Sequence, residues 1–364
     1  MIPKKKPQNQ ASLFFDFDAT LNQKHPLYQL ANKINWSVFE DSFLPLYNQN
    51  NGRPAKSIRL MVGLLILKHL RNISDESVVE QWSENNYFQY FCGEKSFVAG
   101  APCEASELVH FRKRIGEPGV ELILKESIRI NGEDGQDDDV IVDTTVQEKN
   151  ITFPTDSKLH KKIIRKCWAI AAERELVLRQ SYRRTLKKLS IDQRFRNHPK
   201  NKGKARKADK KVKTIAGRLV RELERLLPGD DKHRETLALF QKILAQKKND
   251  KNKIYSIHEP DTNCISKSKE HKQYEFGNKA SIAKTKKGVI VGAMGFRNEF
   301  DGHTLEPALE QVVELTGKRP KRAIVDRGFK GADVIGETTV VLPKPPKKNQ
   351  SKHETQQLRK LHRS

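Results

Sequence analysis

Two short apolar runs that each end in an aspartate are the residues best suited to chemistry in this chain. Val140–Asp143 and Ala323–Asp326 favour β-strands because apolar, mostly β-branched residues precede each carboxylate. Two such strands lying side by side, about 4.8 Å apart, would bring both carboxylates to the mouth of one sheet. Converging carboxylates bind a divalent cation that can work on phosphate esters. We therefore predict that Asp143 and Asp326 are metal ligands; the alternative is a pair of aspartates that only cap strand ends.

The charge of the chain indicates a polyanionic partner. The 364 residues include 69 Lys and Arg against 45 Asp and Glu, a formal net charge of +24. Between Asp156 and Tyr255 there are 31 basic against 11 acidic side chains, an excess of 20, so this segment holds most of the positive charge. Nucleic acid is the commonest partner of so basic a surface, and its binding weakens steeply with salt. A ribosomal-type or merely soluble basic protein is the alternative that charge alone leaves open.

Cysteine spacing and hydropathy argue against several other classes. The cysteines lack the short paired spacing of zinc ribbons and disulfide frameworks, which fits a reducing cytosol. They are Cys92, Cys103, Cys167 and Cys264. The longest uncharged apolar stretch, Leu60–Leu67, is too short to cross a bilayer, and no apolar run follows the basic N-terminus as in a secretory signal. We expect a cytoplasmic, nucleoid-associated protein without a membrane segment.

Residues 1–132 are predicted to form a helical domain. Ser57–Leu70 has apolar residues close to helical spacing, and Ser74 is a good N-cap for a second helix that runs to about Phe91. Ser106 opens a third helix, which has the basic run Arg112–Arg114 and ends before Gly116. Helix, short turn, helix and basic helix are compatible with a helix-turn-helix DNA reader. A helical bundle with a solvated basic face is the alternative.

The middle of the chain predicts a turn followed by a strand and a helical insertion. Gly132–Asp139 is acidic and is interpreted as an exposed turn ahead of a strand at 139–155; weak metal binding by the clustered carboxylates is the alternative. Residues 156–252 are charged and favour helices, with a basic loop expected at Arg194–Lys211. A disordered basic linker is the other interpretation of this insertion.

Residues 253–345 change to a β pattern. Tyr274–Ala283 and Val289–Met294 predict a hairpin, with Lys279 placed after a Gly-Asn turn. Thr304 is predicted to cap a helix that ends near Gly317, before the strand of Asp326 and a last strand near Thr339. A strand, an insertion, a hairpin, a helix and two strands predict an α/β fold with one mixed sheet. Residues 346–364 form a basic tail.

Two sets of motifs carry a family resemblance that covers nearly all of the chain. The N-terminal set is Gly52-Arg53-Pro54, Arg59-Leu60, Gly63-Leu64-Leu65, Leu70 and Phe111-Arg112 with Gly116. The core set is Asp143-Thr144-Thr145, Tyr274-Glu275-Phe276-Gly277-Asn278-Lys279, Asp301-Gly302-His303-Thr304 and Asp326-Arg327-Gly328-Phe329-Lys330-Gly331. Each motif is weak alone, but in this order they resemble bacterial insertion-sequence transposases of the DDE type, insertion sequence five group. The resemblance implies an RNase H-like mixed-sheet core with an N-terminal helix-turn-helix-like domain and a long basic helical insertion.

The resemblance also implies a chemistry and its partners. Asp143 and Asp326 would hold Mg²⁺ or Mn²⁺, two ions in a complete site, for strand cleavage and strand transfer by in-line displacement. The partners would be double-stranded DNA, at the terminal inverted repeats and the target, and a second copy of the chain. Residues suited to DNA phosphates are Arg53, Lys56, Arg59, Arg112, Lys113, Arg114, Lys279, His303, Arg327 and Lys330. A solvated Lys279 and a structural His303 are the alternatives for those two.

The third carboxylate that such a site carries in this family has no counterpart at the expected position in this sequence. Members of the family carry a glutamate downstream of the second aspartate, on a helix entered through an arginine-rich run. Only Glu337 and Glu354 follow Asp326, in a turn and in a polar tail, and Leu358–Arg363 resembles the entry to that helix. We therefore expect no third carboxylate in this chain. The expected function is a transposase with impaired catalysis; the alternative is a non-catalytic DNA-binding protein that occupies or represses related element ends.

Overall fold

The computed structural model describes residues 16–48, 54–247, 249–269, 272–297, 299–329, 331 and 333–342. The helices of these residues are α1 (Phe17–Thr20), α2 (Pro26–Lys33), α3 (Trp36–Phe43), α4 (Ile58–Arg71), α5 (Asp75–Glu84), α6 (Asn86–Phe91), α7 (Ala105–Ile130), α8 (Asp156–Glu173), α9 (Arg183–Asp192), α10 (Pro199–Leu226), α11 (Asp231–Ala245) and α12 (Asp301–Thr316). The strands are β1 (Asp139–Glu148), β2 (Asn263–Lys269), β3 (Lys272–Thr285), β4 (Ile290–Phe296), β5 (Arg322–Val325), β6 (Val334–Ile335) and β7 (Thr338–Val341). Helices and strands in one chain confirm the predicted α/β class.

The chain divides into two compact units. The first contains the described residues up to Val142, then Ile282–Ala293 and the described residues from Leu305 onwards. The second contains Asp143–Ser281 and Met294–Thr304. One boundary falls inside β1, directly after Val142, so this strand runs from the first unit into the second.

Capping side chains set the ends of the N-terminal helices. The hydroxyl of Ser74 accepts a hydrogen bond from the Ser77 N–H at 3.1 Å, as predicted. The hydroxyl of Ser57 accepts one from the Leu60 N–H at 3.2 Å and caps α4 in the same way. The predicted continuous helix from Ser74 to Phe91 is wrong, because it is interrupted at Asn85. The Asn85 side chain accepts hydrogen bonds from two backbone N–H groups that follow it, and so begins α6.

Helix α7 starts one residue before its predicted start and has a second segment that was not predicted. It begins at Ala105 with Glu104 as N-cap, where a reciprocal capping box with Glu107 satisfies two backbone N–H groups. The predicted helix end before Gly116 is confirmed for the first segment of α7, because the Gly116 backbone is not helical. Gly116 has a φ of +59°, which kinks the helix, but the helix resumes and continues to Ile130. Pro118 lies just after the kink, where a proline costs little because the chain is starting a new helical turn.

The first unit contains two hydrophobic cores. One lies among α1 to α7 and includes the fully buried aromatic rings of Phe39, Trp82 and Phe91. The other lies between α12 and the sheet, where Leu309 and Val312 pack with residues of β1, β5 and β7. Because the spacing of apolar residues in α12 matches one helical face, a single side of this helix covers the sheet.

The strands form one mixed sheet within the described chain. Their order is β2-β3-β1-β5-β7-β6, and β4 pairs with β3 beside this path. Strands β1 and β5 are parallel, with Cα partners from Asp139–Arg322 to Val142–Val325. Strands β5 and β7 are also parallel, whereas β6 and β7 are antiparallel. The prediction of one mixed sheet is confirmed.

Asp138 and Asp139, at the start of β1, are paired with cations, so the prediction of a merely exposed turn is wrong in this respect. Asp139 is buried and accepts two hydrogen bonds from Arg322, at 2.6 and 2.5 Å. It also forms an ion pair with Lys286. Asp138 pairs with Lys318 at 2.6 Å and with Lys321 at 2.7 Å. These partners are remote in sequence, and they lower the pKa of both carboxyls.

The insertion in the second unit is helical throughout its middle. Helices α8 to α11 enclose a core of their own, with Ile163, Val212 and Phe240 fully buried. The basic loop predicted at Arg194–Lys211 is wrong, because Pro199 begins the 28-residue helix α10 and the turn before it is short. Proline at the first helical position and His198 as N-cap explain why the helix starts there.

The predicted hairpin is confirmed as β3 and β4, but two details differ. Gly277 and Asn278 lie inside β3 and form no turn. The helix expected to be capped by Thr304 begins earlier, at Asp301, and the buried Thr304 hydroxyl donates to the Asp301 carbonyl at 2.8 Å. Its predicted end is confirmed: it stops at Thr316, and Gly317 follows with a φ of +72°.

No helix in the described residues is long and apolar enough to cross a membrane. The cysteines have no disulfide partner; three of them, Cys92, Cys103 and Cys167, are buried, and burial raises the pKa of the Cys103 thiol to about 11. They therefore pack as small apolar side chains.

Candidate functional site

The two predicted aspartates follow the last registered pair of two parallel strands. Val142 and Val325 are Cα partners in the β1–β5 pair, and both side chains are buried. Asp143 is the next residue after Val142, and Asp326 is the next after Val325; both are exposed. The prediction that the two apolar runs form neighbouring strands is confirmed. The expectation that Asp143 lies at a strand end is wrong, since β1, predicted within 139–155, continues through Asp143 to Glu148.

The spacing of a further pair explains this register. Asp139 stands four residues before Asp143, and Arg322 stands four residues before Asp326. Because Asp139 and Arg322 are Cα partners joined by a bidentate hydrogen bond, a slip of one residue would separate them. Sequence reasoning missed this pair, although the equal spacing of opposite charges before the two aspartates was the signal that could have found it.

Each aspartate is oriented by its own backbone. The Thr144 N–H donates to Oδ1 of Asp143 at 2.8 Å, and the Gly328 N–H donates to Oδ1 of Asp326 at 2.7 Å. The Phe329 N–H donates to the Asp326 backbone carbonyl at 3.3 Å and closes the 3₁₀ turn at Arg327–Phe329, in which Phe329 is fully buried. No cationic side chain among those described pairs with either carboxylate. Both therefore keep carboxylate oxygens available to a ligand.

The donor set at these aspartates fits a hard cation. Mg²⁺ is commonly bound through one or two carboxylates, with waters and substrate phosphates filling its other positions. Among the described residues, no group of three or more His, Cys, Asp and Glu side chains could hold a metal ion. Glu337 is exposed in the turn between β6 and β7, and Glu354 lies outside the described residues. Among the described residues, Asp143 and Asp326 therefore form the candidate donor set without a third carboxylate.

Lys279 is paired within the second unit. Its ammonium lies 2.9 Å from Oδ1 of Asp301 and donates to the Glu299 carbonyl at 2.8 Å, and the side chain is only 18% exposed. This ion pair joins two of the sequence motifs, the one in β3 and the one that begins α12. A phosphate contact by Lys279 would have to compete with Asp301, so the structure favours a positioning role.

His303 is exposed in the first turn of α12, where its ring meets the edge of Phe300 with a centroid distance of 6.3 Å. It has the access that a phosphate contact requires. Arg327 begins the 3₁₀ turn after Asp326, but its side chain is outside the described side chains, and Arg53 and Lys330 are outside the described residues. Their predicted DNA contacts stay predictions.

Two predicted DNA-binding arginines of the N-terminal helices make contacts within the first unit. Arg112 donates to both carboxylate oxygens of Asp75, at 2.8 and 2.6 Å, and Lys68 pairs with the same carboxylate at 2.8 Å. The Arg59 guanidinium lies 4.8 Å from the centre of the Trp36 ring and points at backbone carbonyls that end α6. These arginines join helices, which leaves less of their charge for DNA.

The remaining predicted cations lie on or near the N-terminal half of α7. Lys113 and Arg114 are exposed, and the Arg114 guanidinium stacks on Tyr47 at 4.3 Å. Lys56 and Arg114 line a shallow cavity of about 270 Å³ together with Tyr47 and His110. Among the predicted N-terminal residues, these three cations keep the best access to a phosphate backbone.

The Asp75 cluster makes stability depend on pH. Hydrogen bonds from Arg112 lower the pKa of Asp75 from 3.8 to about 2. A carboxyl whose pKa is depressed by folding contributes fully above about pH 4, and this contribution is lost as the pH falls through the folded pKa. We expect Asp75→Asn to lower the free energy of unfolding by about 2 kcal/mol at pH 7 and by roughly half as much at pH 3. Denaturant unfolding at the two pH values measures this difference.

A control for this experiment lies on the same helix. Glu80 is exposed on α5, and Glu80→Gln should leave the unfolding free energy within about 0.5 kcal/mol of the parent at both pH values. Equal losses at pH 7 and pH 3 for the Asp75 variant would contradict the assignment of its effect to the ion pair.

Comparison with known proteins brings two matches. Residues 15–114, from the N-terminal helices into α7, match a family model described as Transposase domain (DUF772). The chain is 41% identical over 204 residues to an uncharacterized protein, ORF8 in the nfe locus of Rhizobium meliloti. That alignment covers 54% of this chain and 98% of the relative. No solved structure matches the chain.

Proposed function

This chain belongs to a transposase family, and from that premise we propose that it is a DNA transposase of the DDE type, insertion sequence five group. The proposed reaction is metal-dependent cleavage at the terminal repeats of an insertion sequence, followed by transfer of the cut strand to target DNA. The proposed partners are double-stranded DNA and a second copy of the chain.

The observation that carries the proposal is the register of β1 and β5. It pairs Val142 with Val325, and each is followed by an exposed aspartate. Neighbouring parallel strands lie about 4.8 Å apart, and this spacing is the reason to propose that the residues directly after the last registered pair share one ion. The same strands sit in a mixed sheet beside the β3–β4 hairpin, which supports an RNase H-like core.

In the proposed site, side chains of this protein would hold the metal ion and orient the surrounding residues. Asp143 and Asp326 would bind Mg²⁺ or Mn²⁺ through the oxygens that their backbone hydrogen bonds leave available. When bound, the metal supplies activation of the attacking oxygen and neutralises charge on the phosphate. Both aspartates are exposed, so a DNA phosphate can approach them directly. The Lys279–Asp301 ion pair holds the start of α12, and with it His303, against β3.

The N-terminal helices are the proposed reader of DNA ends. Helices α4 and α5 are joined by a short turn in which Asn72 adopts a φ of +51°, and α7 follows with the exposed Lys113 and Arg114. A helix, a tight turn and a second helix ahead of a basic helix support a helix-turn-helix-like domain.

A second candidate function is DNA binding without catalysis. It is favoured by the carboxylates available: the described residues contain no group of three or more possible metal ligands, and Glu337 lies in an exposed turn. Two carboxylates neutralise two divalent ions incompletely. Such a protein would occupy the ends of related elements and repress them.

A metal-dependence experiment separates the two candidates. The protein is incubated with a labelled duplex that contains the DNA flanking its gene on both sides, in Mg²⁺, in Mn²⁺, or in EDTA. A transposase should nick or cut this duplex at defined positions in Mn²⁺ and Mg²⁺, with no product above background in EDTA. A gel shift of the same duplex with no cleavage in either metal would reject the catalytic proposal and support the repressor.

A further inference from the structure

The helical insertion contains a basic cavity that none of the predicted site residues lines. Its volume is about 440 Å³, within the range of small-ligand sites. It lies in the second unit, between the start of α8, the middle of α10 and the segment after α11. The side chains that matter for its chemistry are His160, Arg196, Lys210, Lys213, Lys253 and Tyr255.

The charges around the cavity favour an anion. Its two carboxylates are already neutralised, since Asp156 pairs with Lys253 at 2.8 Å and Asp209 pairs with Arg196 at 2.8 Å. Lys210 and Lys213 are exposed on α10 and have no acidic partner among the described side chains. Two ammonium groups are therefore left without a counter-charge at the wall of the cavity.

A largely buried histidine in the wall offers a hydrogen-bond donor to the cavity. His160 is 94% buried, yet it makes no hydrogen bond to the residues that the structure describes. Burial, followed by the nearby Lys213, lowers the pKa of His160 to about 4, so the ring is neutral at physiological pH. A neutral imidazole has one N–H donor, and the ring nitrogens of His160 are not among the fully buried unpaired polar atoms, so the ring can donate into the cavity that it lines.

The start of α8 adds backbone donors to the same wall. Thr155 is the N-cap of this 18-residue helix, and its hydroxyl accepts from the Lys158 N–H at 3.3 Å. The cavity is also lined by Asp156 and Ser157, in the first turn of that helix. The N–H groups of a first turn have no partner inside the helix, and the helix dipole makes them an anion-binding end.

We propose that this cavity binds a phosphate group of a DNA strand. Lys210 and Lys213 supply the charge, His160 donates one hydrogen bond, and the first turn of α8 supplies the backbone donors. The volume accommodates one phosphate with its attached sugar. The choice of DNA as the source of the phosphate rests on the proposed function, whereas the anion site itself rests on the geometry alone.

The test compares two variants of equal charge in the full-length protein. Lys210→Gln/Lys213→Gln removes the unpaired cations of the cavity, and Lys202→Gln/Lys207→Gln removes two exposed cations of the same helix that do not line it. Binding of a labelled duplex of arbitrary sequence is measured by fluorescence anisotropy in EDTA. We expect the cavity variant to weaken binding about tenfold or more, and the control variant less than about threefold. Equal losses would overturn the proposal, because they would show only a general effect of charge.

Competition identifies the source of the phosphate. Deoxyadenosine monophosphate and inorganic phosphate are added to the wild-type complex, and His160→Gln serves as a third variant that keeps the charge. Weaker duplex binding by His160→Gln, with a thermal melting curve like that of the wild type, supports the cavity as the DNA contact. Mononucleotide binding that depends on Lys210 and Lys213, with duplex binding unchanged, would overturn DNA as the source. Because every measurement is made in EDTA, failure of the cleavage reaction leaves this test unaffected.

Discussion

Asp143→Asn and Asp326→Asn are each expected to reduce strand cleavage by about 10³-fold or more, the loss of roughly 4 kcal/mol of transition-state stabilisation. Asparagine has nearly the same shape and keeps the oxygen that accepts the backbone hydrogen bond from Thr144 or Gly328. What it removes is the negative charge that a divalent cation requires. The measurement is the initial rate of cleavage of the flanking-DNA duplex in Mn²⁺, with duplex affinity measured in EDTA for the same proteins.

Asp333→Asn is the matched control for these variants. Asp333 is an exposed aspartate of the first unit and lies seven residues after Asp326, and only its backbone carbonyl takes part in a described hydrogen bond, from the Val340 N–H. This variant should cleave at the parent rate within about twofold. Duplex affinity should be unchanged or slightly higher in all three variants, because each removes one negative charge. Cleavage that survives in both site variants would remove Asp143 and Asp326 from the reaction.

Gly277→Ala is expected to destabilise the second unit by about 3 kcal/mol. Gly277 lies inside β3, and a Cβ atom there would stand 2.0 Å from the Gln147 carbonyl oxygen and 2.9 Å from the Glu148 Cα. Both neighbours are backbone atoms of β1, so no side-chain rotation relieves the overlap. The strands would have to separate where the Lys149 N–H donates to the Phe276 carbonyl at 2.9 Å. Urea unfolding followed by hydrogen exchange of β1 and β3 measures the loss locally.

Gly295→Ala tests whether that loss comes from the overlap. Gly295 lies in β4, also in the second unit, and a Cβ atom there would have no neighbour within 4 Å. Its replacement should be neutral or stabilising by up to about 1 kcal/mol, because alanine restricts the unfolded chain. Similar destabilisation by both substitutions would show that strand propensity, and not the close approach of β1, explains the effect at Gly277.

Gly277 also changes the interpretation of its motif. As part of a Gly-Asn turn it would have supplied a positive φ, and its role would have been local. Inside β3 it is instead the residue that lets β1 and β3 come together beyond Asp143. Sequence inspection could not distinguish these roles, because both require glycine and only the position of Gln147 differs between them.

Elements set by neighbouring residues were predictable. Ser74 was recognised as an N-cap because a cap depends on residues three positions away. The β-branched runs before Asp143 and Asp326 predicted strands for a similarly local reason. That these strands pair was a hypothesis, which the register of β1 and β5 confirms. The break at Asn85 was missed although its cause is local, because the Asn85 side chain caps α6. The second segment of α7 was not predicted; its Leu122 and Ile123 pack against the N-terminal core.

The sequence by itself determined which groups could do chemistry: two aspartates behind apolar runs, a basic insertion and a set of exposed cations. Only the tertiary structure decided which of those charges remain available. Arg112 forms an ion pair with Asp75, Lys279 with Asp301 and Arg322 with Asp139. By contrast, Asp143, Asp326 and Lys213 have no partner of opposite charge among the described side chains. The physical reason is that an ion pair requires a separation of a few ångströms between residues that are far apart in the chain, and folding alone sets that distance.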